Sequence, residues 1–263
     1  MRRDLENVIS STSELAALPT TTVKLLEILD DTTVEAIRVL AVIDKDPSLT
    51  ANLLKLCNSA YYGMRRQVGS VKEALVLLGN KTVVTLAFAT SMGDVLRGQL
   101  SAYRLAKDEL WHHALATALC AGHLMNALAG PELRDRAFTA GLVHDVGKLL
   151  LNTLLLKELE QIPPEAAGDA LLAAERDILG FDHSEAGAAL AESWNFPPML
   201  VAAVFHHHRP GAAGSDRDLI LAVATANIVA ESLGYGGAGM PSNTAERLEE
   251  LIEAGVPREA LVE

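Results

Sequence analysis

The sequence predicts an all-α protein of two packed helical subdomains, residues 1–100 and 101–263. Three observations carry this reading. Hydrophobic residues fill 49% of the chain while aromatics supply only 4%, and the recurrent Leu and Ala are strong helix formers. Apolar positions repeat three and four apart, with hardly any of the two-residue alternation of a half-buried strand. Helix start and stop signals follow one another along the chain.

In the first subdomain, Thr32 with Glu35 fits a capping box. Asp46-Pro47 fits an N-cap followed by proline at the first helical position, and Ser70 with Glu73 fits a second box. After Asp46-Pro47, residues Leu49, Leu53, Leu56, Cys57 and Ala60 form one apolar stripe, which Gly63 ends. The helix after Ser70 turns Ala74, Leu75 and Leu78 inward and stops at Gly79, where Asn80 can cap a further helix to about Met92. In the second subdomain a helix is expected from about Leu105 to Leu128 and another from Arg134 to Asp145, with Gly147 as its end. Later helices are expected over 169–179, 183–194, 198–208, 218–233 and 244–254. Gly180, Pro197-Pro198, Pro210-Gly211 and the YGGAGM stretch separate them.

The chain carries 34 acidic against 22 basic residues, a formal charge of −12, and has no long Lys/Arg cluster, so direct nucleic-acid binding is disfavoured. Arg65, Arg66, Lys72 and Lys81 read as a solvated face. The longest apolar runs, such as VVTLAFAT at 83–90, stop well short of the roughly 18 residues a membrane span needs. MRRDLENVIS does not continue into a signal-peptide core. No membrane partner and a cytoplasmic location are therefore expected. Cys57 and Cys120 sit in apolar helical patterns and read as packed thiols.

All eight histidines lie between residues 112 and 208. GLVHDVGK at 141–148 places His144 and Asp145 at a helix end, where neighbouring elements can reach them. Imidazole and carboxylate together bind first-row divalent metals, and a carboxylate can bridge two ions. Glu109 and His113 share a helix face at i, i+4, His183 opens another helix, and His207-His208 close a third, so four helices can supply ligands. His112, His123 and His206 lack such partners and read as ordinary surface or hydrogen-bonded residues.

GLVHDVGK, the upstream LWHHALATA, and the downstream HSEAGAALAESWNFP and HHRP together resemble the HD superfamily, and specifically its HDOD branch. LPTTTVKLLEIL, IDKDPSLTANLLKLCNSAYYG and SVKEALVLLG in the first half match the pattern of HDOD domains, so the resemblance covers roughly residues 15 to 235. It implies an all-helical fold whose second subdomain is HD-like, and a bacterial regulatory role, usually without demonstrated catalysis. The related HD-GYP phosphodiesterases hydrolyse cyclic di-GMP at a centre of two or three metal ions. By resemblance, their ligand positions fall on Glu109, His113, His144, Asp145, His183, His207 and His208.

Two departures stand out. In NIVA, Asn227 occupies the place of the last HD aspartate, which keeps a carbonyl oxygen but no charge, and no GYP segment follows HHRP. The preferred reading is thus a signal-transduction module that binds signalling proteins and holds a metal (Fe, Mn or Mg) or nucleotide ligand in an HD-type cleft. The second reading is a metal-dependent phosphohydrolase acting on a cyclic dinucleotide such as cyclic di-GMP. Asp145 and Lys148 would be its catalytic candidates, Lys148 by matching a position that can hold a phosphate oxygen.

Overall fold

A computed structural model of the chain describes residues 5, 18–29, 31, 33–164, 166–212, 216–236 and 243–261. Among these residues there is no strand, only an isolated antiparallel bridge between Leu100 and Leu105, and the fold is all-α. Leu18–Val95 forms one compact unit, and Leu96–Glu263 belongs to the other.

The first unit contains α1 (Thr20–Leu29), α2 (Ala36–Ile43), α3 (Pro47–Cys57) and α4 (Val71–Leu96). The Asp46 carboxylate accepts from the Ser48 and Leu49 N–H groups at 2.9 and 3.0 Å, supplying acceptors that the first turn of α3 lacks. Leu49, Leu53 and Cys57 are buried. The stripe stops there, six residues before the expected end at Gly63, with Leu56 half-buried and Ala60 exposed. Asn58 is the reason: its amide donates to the Leu54 carbonyl at 2.7 Å and the Val68 carbonyl at 3.0 Å, and its oxygen accepts from Val68 N–H at 2.7 Å. A side chain that binds backbone on both sides replaces the next helical turn. A short 3-10 turn, Ala60–Tyr62, precedes Gly63, which takes φ 55°.

Ser70 Oγ accepts from Glu73 N–H at 3.2 Å, but the Glu73 carboxylate reaches back to Gly69 N–H, at 2.9 Å, one residue earlier than in a capping box. Gly79, at φ 80° and ψ 163°, interrupts α4 where the sequence places a stop. The Asn80 amide is spent on the Val34 carbonyl, 2.8 Å away. The Thr32 capping box lies outside the described residues. Val71–Leu96 is long and apolar enough to cross a membrane, unlike any uninterrupted run in the sequence, but 67% of its apolar window is buried within the protein.

The second unit contains α5 (Glu109–Ala129), α6 (Arg134–Val143), α7 (Val146–Leu154), α8 (Leu156–Leu159), α9 (Asp169–Leu179), α10 (His183–Ser193), α11 (Pro198–His206), α12 (Arg217–Ser232) and α13 (Thr244–Glu253). α5 packs on α6 and α12, and α10 packs on α7 and α11. Asp182 caps α10 in a full capping box with Glu185. The expected helix end at Gly147 is corrected: α6 ends at Val143, and Gly147 lies in the first turn of α7. A Cβ on Gly147 would collide with the His183 carbonyl oxygen and stand 2.6 Å from the Gly187 nitrogen of α10. This glycine is there to let two helices touch.

Candidate metal centre

Helix contact brings most of the singled-out side chains to one place. His113 comes from α5, His144 and Asp145 from the turn between α6 and α7, His183 from the start of α10, His207 and His208 from the end of α11, and Asn227 from α12. Glycines permit the approach twice over, since a Cβ on Gly141 would stand 2.9 Å from the Ala118 Cα of α5, and Gly147 meets α10 as described. Asp145, His183, His207 and His208 form one group of potential ligand atoms, and His113, His144 and Asp145 form another, with Asp145 common to both.

The hydrogen bonds around the rings determine which nitrogens face inward. Nδ1 of His144 lies 2.7 Å from the Gly141 carbonyl, Nδ1 of His207 lies 2.7 Å from the Val204 carbonyl, and Nδ1 of His113 lies 3.3 Å from the Tyr235 carbonyl. Nδ1 of His183 lies 2.8 Å from the Glu175 carboxylate. These oxygens only accept, so each Nδ1 carries a proton and each ring turns its Nε2 inward, where a neutral ring offers a lone pair. Those lone pairs crowd acceptors. His113 Nε2 is 3.2 Å from His144 Nε2, which is also 3.2 Å from the Asn227 oxygen. The Asn227 amide nitrogen is turned away, donating to Glu231 at 3.3 Å. Acceptors facing acceptors at this distance repel unless a cation stands among them.

Burial sharpens the demand. His144, His183 and His207 are 0% exposed and Asp145 2%. Asp145 Oδ1, His207 Nε2 and His208 Nδ1 are buried without a hydrogen bond. Burial pushes His144 down to about 4 and His207 well below the usual range, which keeps both rings neutral as ligands. Burial is the largest single influence on Asp145 and would raise it, but the Lys148 ammonium, 2.6 Å from its Oδ2, and the His144, His113 and His183 rings together outweigh it and hold the carboxyl well below the usual range. For His183, burial is outweighed by the Glu175 charge and by bonding to Asp145 and Glu175, so it rises to about 9, and this ring gives up its Nε2 proton only when a metal ion takes its place.

Not every expected residue takes part. The Glu109 carboxylate accepts from Ala106 N–H at 2.7 Å and belongs to neither group. His112 and His123 are exposed, and His206 packs edge-on against Phe205. Cys57 and Cys120 are free thiols that burial pushes up to about 11. Three acids not singled out in the sequence support the centre. Glu175, 0% exposed, accepts from both the ring and the backbone N–H of His183 and from the Tyr103 hydroxyl at 2.7 Å. Glu231 holds Asn227, and buried Asp182 accepts from Arg176 and from Arg209. In the sequence Glu175 is one acid in an amphipathic helix, so only its contact with His183 marks it.

The donor set fits a metal ion. Imidazoles whose outer nitrogen is tied to an oxygen, around a shared carboxylate, are the usual shell of a transition-metal site. Of Fe, Mn and Mg, such a nitrogen-rich set suits the first two, because Mg prefers oxygen ligands.

Comparison with known proteins identifies the family and the fold. The pattern of the HDOD domain matches residues 15–210. An uncharacterized protein of Treponema pallidum (strain Nichols) is 30% identical over 247 residues, which cover 86% of this chain and 46% of that protein. The chain thus spans less than half the length of that curated relative. A crystal structure of an HDOD domain protein of unknown function from Geobacter sulfurreducens shares the fold, with a TM-score of 0.79, 23% identity, and coverage of 97% of this chain and 89% of that one. A candidate phosphohydrolase from Shewanella amazonensis SB2B superposes with a TM-score of 0.71 and 26% identity, covering 94% of each chain.

Proposed function

The chain belongs to the HDOD domain family, and from that premise we propose that it is a bacterial signal-transduction module. It holds a transition-metal ion in its buried cluster and turns over no substrate there. The carrying observation is the convergence of four imidazole Nε2 atoms on one carboxylate among side chains 0–3% exposed. A catalytic metal site keeps an open position that substrate or water can reach, whereas a structural one is closed by its ligands. Asn227 in place of a carboxylate and Lys148 on Asp145 both lower the negative charge that a hydrolytic centre needs to hold its ions. The output passes through the helical surface to signalling proteins in the cytoplasm, and the metal keeps the second unit in its binding-competent form.

Elemental analysis of untagged protein, with cyclic di-GMP followed under anaerobic conditions in added Mn or Fe, tests this reading. Bound metal without hydrolysis is expected, with the metal lost in Asp145→Ala and retained more firmly in Asn227→Asp. Turnover by the unmodified chain that Asp145→Ala abolishes would overturn it. The phosphohydrolase reading has one observation in its favour. Lys148, bonded to Asp145, lines a surface crevice with Tyr103, Arg104, Ile162 and Gly236, although at about 40 Å³ this is far smaller than the usual small-molecule site. The description of the Shewanella protein points the same way. The same assay separates the two.

A further inference from the structure

The two halves of the cluster are not equivalent, and the difference lies in the two oxygens of Asp145. Oδ2 is engaged: Lys148 Nζ lies 2.6 Å away, with His113 Nε2 at 3.4 Å and His144 Nε2 at 3.5 Å. Oδ1 faces His183 Nε2 at 3.3 Å and His207 Nε2 at 3.6 Å, yet no hydrogen bond is aligned on it. The orphaned atoms Asp145 Oδ1 and His207 Nε2 belong to this Oδ1 side, and so does the His208 ring, whose Nε2 lies 3.1 Å from His183 Nε2 and whose Nδ1 is also unpaired. A buried polar atom left unpaired keeps the cost of its lost hydration, so this is the side that a ligand would relieve.

We infer that the cluster takes one divalent transition-metal ion, seated among Asp145 Oδ1, His183, His207 and His208, and that the Lys148 ammonium occupies the second cation's place on Asp145 Oδ2. This rests on the metal-holding role proposed above.

Charge supports the count. The carboxylates of Asp145, Glu175 and Glu231, bonded to Lys148, His183 and Asn227, bring three negative groups to the site, against the one Lys148 ammonium once His183 binds the ion as a neutral ring. One divalent ion neutralises the remainder. A second would leave two positive charges in a buried site, beside a neutral Asn227 where a carboxylate could have offset them. Lys148 is not free to swing out. Its side chain is 13% exposed and lies over the Tyr103 ring, 6.0 Å from the centroid, and the Tyr103 hydroxyl is tied to Glu175, which also holds His183. The ammonium on one oxygen and the imidazole meant for the ion on the other thus share one anchor.

The test uses the full chain, stripped of metal and reloaded with Mn²⁺ alone under anaerobic conditions. Bound Mn is counted per chain, electron paramagnetic resonance distinguishes isolated from exchange-coupled ions, and circular dichroism checks folding. One ion per chain with an uncoupled spectrum is expected. His207→Gln should weaken retention by roughly tenfold or more while His113→Gln changes it by less than about twofold. His208→Gln, on the half-buried ring, replaces His207→Gln should that variant not fold. Lys148→Met combined with Asn227→Asp should admit a second ion and produce the coupled spectrum. Two ions in the unmodified chain would sink the inference but leave the metal-holding role standing, as would loss of Mn from His113→Gln matching that from His207→Gln. A folded chain that retains no Mn, Fe or Zn would sink both.

Discussion

Helices of similar composition enclose two very different interiors. Among the described residues of Leu18–Val95, the buried polar side chains are hydroxyls alone: Thr22, Thr82, Thr85 and Ser91, with Thr22 and Ser91 bonded to each other at 2.5 Å. From Leu96 onward, the helices bury His113, His144, Asp145, Glu175, Asp182, His183, His207, Asn227 and Arg247. An uncompensated buried charge costs several kcal/mol, so a domain that gathers this many must satisfy them with one another or with an ion. The first interior is explained by packing alone. The second is not, and the unmet hydrogen-bonding of Asp145 and His207 is what separates a function from a core.

Perturbing each interior in turn can break or sharpen that contrast. The largest effect is expected from Gly147→Ala, which drives a methyl into the α10 backbone and should cost about 3 kcal/mol or more. Urea denaturation measures it against Gly98→Ala, a position with open space, where a change within about 0.5 kcal/mol is expected. Next, stripping the ion should destabilise the second unit by about 2.7 kcal/mol where the ion had been supplied at a hundred times its Kd. Amide hydrogen exchange should show protection lost in α5, α6 and α10 and kept in α1 to α3. Uniform loss would mean that the two interiors respond as one and the contrast is void.

Glu175→Gln should follow, at about 2 kcal/mol, since a charged acceptor for His183 and Tyr103 becomes a neutral one; metal affinity should fall roughly tenfold with it. Calorimetric titration with Mn²⁺ reads the second number, and unchanged affinity would reduce Glu175 to a packing role. Asn58→Ala removes three hydrogen bonds from the first unit and should cost about 1.5 kcal/mol with metal content unchanged. The smallest effect, about 1 kcal/mol in a thermal melt, belongs to Asp46→Ala, which uncaps α3. Metal loss in either of these last two variants would contradict the separation of roles.

Much of this was legible along the chain, and the dividing line is the range of the forces involved. Caps act over three or four residues, so Asp46-Pro47, the α9 span Asp169–Leu179 and the start of α10 at His183 could be read from their own neighbourhoods. Spacing and residue type also singled out His113, His144, Asp145, His183 and His207-His208 as one chemical set. Where a side chain found a partner ten residues away, as Asn58 does in Val68, the local reading ran too long.

Tertiary structure alone decided the rest. It left Glu109 outside the cluster although Glu109 shares a helix face with His113, because its carboxylate reaches the nearby Ala106 N–H. It recruited Glu175, eight residues from the histidine it orients, and it gave the two oxygens of Asp145 different neighbours. The neighbours of the two Asp145 oxygens depend on how closely α7 can approach α10, a distance that Gly147 and Gly187 set by having no side chain. Periodicity tells which face of a helix turns inward, but which donor then meets which acceptor is settled by contacts between residues far apart in sequence, at a tolerance of tenths of an ångström.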